Sequence, residues 1–171
     1  MATITFHELV PVPWFRQRRL MKATLLEMFS KEKVPVGAID FVLCNDEYLL
    51  QINQQFLQHD DLTDIITFDL TEPAGGSSIL APSLGNVVPG VRARKGKAAY
   101  SVPKLGEIYI SVERVLENAS LLGVSREEEL RRVMFHGCLH LCGYKDKLNE
   151  QKAIMRKMED KYLRLYNLRS T

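Results

Sequence analysis

The sequence predicts a single domain of mixed α and β structure over residues 1–171, and three observations carry that expectation. The chain has 171 residues, the length of one domain, enough to bury about 70% of its unfolded-state surface. Its composition, 46% hydrophobic and 26% charged, lies near the globular average, which excludes collagen-like, coiled-coil and wholly disordered chains. Short alternating or β-branched runs also take turns with segments of helical period.

Residues 2–6 alternate as a strand does, and Pro11 and Pro13 then punctuate the chain before a helix. Over 15–31, Leu20, Ala23, Thr24, Glu27 and Met28 follow helical spacing, behind Arg16, Arg18 and Arg19. A mostly apolar strand is expected at 36–44. Asn45 or Asp46 can cap the helix after it, which carries Tyr48, Leu49, Ile52 and Phe56 on one stripe. The β-branched run at 64–70 reads as a strand. Residues 72–104 break the rhythm: they are rich in Gly, Pro, Ser and Ala, and after Glu72 hold five basic residues and no acid. That stretch reads as a mobile basic insertion, since neither flank has the elements for a core of its own. A strand at 105–111 and a helix at 112–122, stopped by Gly123, follow. Ser125 and Glu128 form a capping box that opens a helix to about residue 142, where Gly143 can end it. A basic helix at 149–165 closes the pattern.

The formal net charge of +2 hides a division. Residues 34–91 contain no lysine or arginine but eight acids, Asp40, Asp46, Glu47, Asp60, Asp61, Asp64, Asp69 and Glu72. The remaining chain therefore carries +10, and such segregation creates local fields that a net charge does not report. No apolar run approaches the ~20 residues of a membrane span. The N-terminus lacks the basic and apolar regions of a signal peptide. Three cysteines, at 44, 138 and 142, are too few for a disulfide scaffold. A reducing cytoplasm is the expectation.

Chemistry concentrates in one segment, His136-Gly-Cys-Leu-His140-Leu-Cys-Gly143-Tyr-Lys-Asp146. Histidines four apart on a helix share a face, with Cβ atoms ~5–6 Å apart, so both can reach one cation. Gly143 turns the chain, and Asp146 can swing back to the same ion. Three protein ligands and an open position are the arrangement of a catalytic metal site. Cys138 and Cys142 lie on another face, with Leu130, Met134 and Leu141, and read as packing. The position after the first histidine, where a zinc protease of the His-Glu-x-x-His kind keeps its general base, is Gly137. That glycine argues against peptide hydrolysis and would let a backbone or a bulky substrate approach the metal closely.

FHGCLHLCGYKD resembles the signature of the YbeY family of endoribonucleases and rRNA maturation factors, His-Gly-x-Leu-His-Leu-x-Gly-Tyr-Asp-His. In order along the chain, IN-x-x-F at 52–56, LTDIITF at 62–68 and LGEIYIS at 105–111 are similar to further blocks of that family. The likeness covers nearly everything except 72–104. It implies an α+β, zincin-like fold, a small mixed sheet packed by helices, with the metal-binding helix near the C-terminus. It implies one Zn²⁺ per chain, a cytoplasmic location, and endonucleolytic hydrolysis of single-stranded RNA in small-subunit 3′-end maturation and ribosome quality control. Its partners would be rRNA, the small ribosomal subunit and ribosomal proteins. A non-catalytic ribosome-assembly factor with a structural metal, or a metal hydrolase of another substrate, are the alternatives. The zinc ligands fall on His136 and His140, with Asp146 where the family has a third histidine; a harder, anionic ligand lowers Lewis acidity and zinc selectivity. Asn53, Thr63, Asp64 and Thr67 would line the cleft beside the metal. Leu57 stands where the family has an arginine, and Arg92 and Arg94 are the expected replacements for its hold on phosphate.

Overall fold

A computed structural model describes residues 2–57, 62–71 and 102–170. Nearly all of the 72–104 segment, including Arg92 and Arg94, lies outside the described residues; its last residue, Lys104, opens a strand. The chain runs β1 (Thr3–Glu8), α1 (Arg18–Lys31), β2 (Val36–Cys44), α2 (Asp46–Leu57), β3 (Ile65–Asp69), β4 (Lys104–Ser111), α3 (Val112–Leu122), α4 (Arg126–Leu141) and α5 (Asn149–Ser170). The class is α+β, as expected. Two helices differ from the sequence expectation. α1 begins three residues late because Gln17 takes a left-handed φ of 52° before it, and α5 continues to Ser170.

The four strands form one mixed sheet in the order β1-β2-β4-β3. β1 and β4 flank β2 in parallel, pairing Phe6 with Phe41 and Phe41 with Ile108, while β3 runs antiparallel at the edge. Strand alternation divides the side chains between two faces. On one face Ile39, Phe41, Leu43, Ile108 and Ile110 are buried in a large core with Met21, Leu25 and Phe29 of α1, Leu130, Met134 and Cys138 of α4, and Tyr162 and Tyr166 of α5. On the other, Cys44, Ile66, Phe68 and Tyr109 pack with Leu49 and Ile52 of α2. The sheet is thus sandwiched, with α2, among the described residues, the helix on its smaller side.

Glycine sets the distance between α4 and the sheet. A Cβ built on Gly137 would stand 2.8 Å from Ile65 Cδ1, 3.0 Å from Ile108 Cγ2 and 3.1 Å from Thr67 Oγ1. One built on Gly106 of β4 would stand 2.9 Å from Leu141 Cδ1. The two glycines let helix and strands approach closely, which holds α4 in one position over β3 and β4. Gly137 therefore faces the sheet, and the space it leaves is filled by Ile65 and Ile108, not by substrate.

Among the described residues, four acids of the base-free stretch find partners from elsewhere. Asp46 takes Arg114 Nη2 at 2.9 Å, Asp69 takes Lys104 Nζ at 2.5 Å, and Asp40 takes His7 Nε2 at 3.0 Å. Asn118 Nδ2 donates to Asp64 at 3.4 Å. Folding thus sets a permanent cation against Asp46 and Asp69 and neutralises the anionic stretch only in part.

Candidate metal centre

α4 is built to present two histidines on one side. Ser125 caps it, its hydroxyl accepting from the Glu128 N–H at 3.1 Å, and three glutamates in the first turn suit the positive end of the helix. The helix ends as Gly143 adopts φ 94°, a left-handed conformation that glycine takes without strain. Gly143 N–H donates to the His140 carbonyl and Tyr144 N–H to that of Leu139. This turn carries Asp146 back across the last helical turn.

His136 and His140 stand with ring centroids 4.5 Å apart, nearly perpendicular at 85°. Their Nε2 atoms are 2.9 Å apart, and Asp146 Oδ2 is 3.5 Å from each. Two ligands of a tetrahedral ion with bonds of about 2.0–2.1 Å stand ~3.3 Å apart, so the triangle has the size such an ion needs. The outer nitrogens are already engaged. His136 Nδ1 lies 2.8 Å from Glu159 Oε1, and His140 Nδ1 lies 3.0 Å from the Tyr144 carbonyl. Both partners only accept, so each Nδ1 carries the proton and each Nε2 offers its lone pair inward. Two lone pairs and a carboxylate oxygen converge, and only a proton or a cation among them relieves the repulsion. Among the described residues these three make the one group of His, Cys, Asp or Glu donors gathered closely enough for a metal, all within 4.8 Å of one another.

The surroundings split the two imidazoles. Burial disfavours the charged form of His136, but the Glu159 carboxylate, then Asp146 and Asp64, outweigh it and raise the pKa. At His140, burial and the neighbouring His136 lower it. Both rings keep about a fifth of their surface exposed, so the centre opens to solvent on one side.

Sequence reading missed the residues that hold the ligands. Glu159 is 5% exposed; its second oxygen receives Arg132 Nη1 at 3.2 Å, and the same nitrogen reaches Asp160 at 2.8 Å. A signal for it exists: Met155, Glu159, Tyr162 and Tyr166 form one buried stripe of α5, and a carboxylate on an apolar stripe calls for a partner. Glu32 at the end of α1 accepts from Tyr144 Oη at 2.8 Å and from Tyr162 and Lys161. It thereby ties the ligand turn to α1 and α5. Glu129, two turns before His136, is buried as well, and burial raises its pKa.

The other expected site residues scatter. Asp64, at the foot of β3, acts on His136 through its charge, whereas the Thr63 hydroxyl donates to the Ile65 carbonyl at 3.3 Å. Thr67 is buried where Gly137 crosses it. Asn53 is buried one turn after Leu49 on α2, across the sheet from α4. Cys138 and Cys142 join the core rather than the donors. Burial pushes both thiols up, Cys142 to about 12, so neither supplies a thiolate.

Sheet, close-packed helix and three-donor cluster together define an α+β, zincin-like domain with a candidate metal centre near its C-terminal end. The family model described as Endoribonuclease YbeY matches residues 5–167, and the chain belongs to that family. A protein named Endoribonuclease YbeY from Flavobacterium psychrophilum is 44% identical over 78% of this chain and 75% of its own. Another from Cytophaga hutchinsonii is 40% identical over 88% and 86%, and one from Porphyromonas gingivalis 38% identical over 95% and 89%. The solution structure of TM1509 from Thermotoga maritima is similar across 98% of this chain and 93% of its own, with a TM-score of 0.58 and 25% identity.

Proposed function

We propose that the protein is a zinc-dependent endoribonuclease that hydrolyses single-stranded rRNA, in maturation of the small-subunit 3′ end and in ribosome quality control. One observation carries this reading: His136 Nε2, His140 Nε2 and Asp146 Oδ2 converge with both outer imidazole nitrogens already engaged. These three residues would hold one Zn²⁺ per chain, as two imidazoles and one carboxylate suit zinc. The ion would supply Lewis acidity toward a phosphoryl oxygen and lower the pKa of water.

The chain's own residues orient that chemistry. Glu159 and the Tyr144 carbonyl fix the tautomer and ring plane of each histidine, the usual task of groups behind a metal ligand. With Gly137 directly after the first histidine, the general base that a His-Glu-x-x-His protease keeps there is missing, which fits phosphodiester better than peptide hydrolysis. Asp64, just before β3, acts on the site through its charge on His136, and Arg92 and Arg94 supply contacts to the RNA backbone. Among the described residues no helix is long and apolar enough to cross a membrane. A cytoplasmic enzyme working on the small ribosomal subunit, in contact with its proteins, accords with that.

The test uses a small-subunit rRNA precursor with purified wild type and His136→Ala. Wild type should cleave internally, lose activity on chelation and regain it with zinc, while His136→Ala stays at background. Precursor bound but uncleaved by zinc-loaded wild type would mark an assembly factor. Cleavage that survives chelation would overturn the metal-dependent reading.

A further inference from the structure

Beside the candidate metal centre, α5 carries basic side chains that the fold does not use. An open groove of about 460 Å³ is lined by His136 and Asp146 of the candidate centre and by Lys152, Ala153, Met155, Arg156 and Glu159 of α5. A second groove, about 580 Å³, shares Ala153 and Arg156 with the first and continues past Lys157 and Lys161 to Arg164. Sharing these two residues, the grooves adjoin as a channel along the helix.

The charges facing this channel are unequally engaged. Asp160 is held by Arg132 at 2.8 Å, and Lys161 by Glu32 at 3.2 Å. Arg156 is 58% exposed and lies 3.9 Å from a Glu159 oxygen that Arg132 already contacts at 3.2 Å. Lys152, Lys157 and Arg164 are exposed and have no ion pair among the described residues. Cations beside a channel that opens on a metal centre fit a phosphate chain. An acidic peptide would place carboxylates at irregular spacing. From residue 152 to 164 the helix rises about 18 Å, long enough to follow several nucleotides of an extended strand.

We propose that this face of α5 is the track for the RNA backbone, with Lys152 and Arg156 gripping the phosphates nearest the cleaved bond and Lys157 and Arg164 those beyond. The proposal rests on the endoribonuclease reading. It also answers the position held by Leu57: a cation that grips phosphate comes from α5 and not from the end of α2, where Leu57 stands.

Cleavage kinetics on the zinc-loaded protein test it, using a single-stranded small-subunit precursor oligonucleotide over a series of salt concentrations. Lys152→Ala/Arg156→Ala should raise KM roughly tenfold and flatten the slope of log(kcat/KM) against log[salt] by about 1.4, at ~0.7 per lost single-strand phosphate contact. Zinc content should not change. Lys157→Ala/Arg164→Ala should do the same more weakly. Lys152→Arg/Arg156→Lys should restore both values, and Arg16→Ala/Arg19→Ala, of equal charge loss just before and within the first turn of α1, should alter neither. Wild-type cleavage with KM and salt slope unchanged in the α5 variants would overturn the track and leave the enzyme reading standing. An equal effect from the α1 control would reduce it to net charge. Zinc-loaded wild type that neither binds nor cleaves RNA would overturn both.

Discussion

The two faces of α4 do different work, though they are made of alternating residues on one helix. Its sheet face carries Gly137, Cys138 and Leu141, packed against Ile65, Ile108 and Gly106. Its outer face carries His136 and His140, about a fifth exposed and tied outward to Glu159 and the Tyr144 carbonyl. The inner face fixes where the helix lies; the outer face depends on that position and contributes little to the core. A donor triangle with edges of 2.9–3.5 Å tolerates little displacement, so the rigidity of one face is what lets the other keep its shape.

Substitutions can separate the faces. The largest effect is expected from His140→Ala, which should abolish metal binding and RNA cleavage while leaving the melting temperature of the metal-free protein near wild type; a large fall there would make His140 a core residue. Glu159→Gln keeps the shape of the side chain but weakens its hold on His136. Metal affinity or activity should drop about 10–100-fold, read by metal titration, and an unchanged affinity would remove Glu159 from the centre. Gly137→Ala should act in the opposite sense. Overpacking against Ile65 and Ile108, about 1–3 kcal/mol, outweighs the ~1 kcal/mol by which alanine favours a helix. Thermal unfolding should show reduced stability, while one metal per chain is retained. The smallest effect is expected at Glu32, where burial alone would raise the pKa but bonds from Tyr162, Tyr144 and Lys161 lower it below the ordinary 4.5. A lowered carboxylate pKa stabilises the fold above pH 4.5, and that contribution is lost as pH falls through the folded-state value. Glu32→Gln should therefore cost about 1 kcal/mol at pH 7, and the difference should shrink in acid denaturation below pH 4.5.

Legibility in the sequence divided along the same line. Helical period and glycine punctuation placed α4, its Ser125 cap and its Gly143 end, because these are local features. The His136, His140 and Asp146 set was legible for the same reason: it lies within eleven consecutive residues. Glu159 and Glu32 were missed because they come from α5 and the end of α1, and Arg132, though on α4, acts only through Glu159; spacing along the chain carries no information about such helix-to-helix contact. Gly137 was read toward the wrong face, since a glycine has no side chain to reveal which way it points. The charge division was real in sequence, and the ion pairs of Asp46 with Arg114 and of Asp69 with Lys104 offset part of it on folding.

The central claim is that three donors of α4 and the following turn hold one catalytic metal, aligned from outside by α5. Calorimetric titration of zinc into chelator-treated protein tests it most directly. The account predicts about one ion per chain for wild type, binding about 10–100-fold weaker for Glu159→Gln, and none at this site for His136→Ala. Equal zinc binding by all three proteins would contradict it.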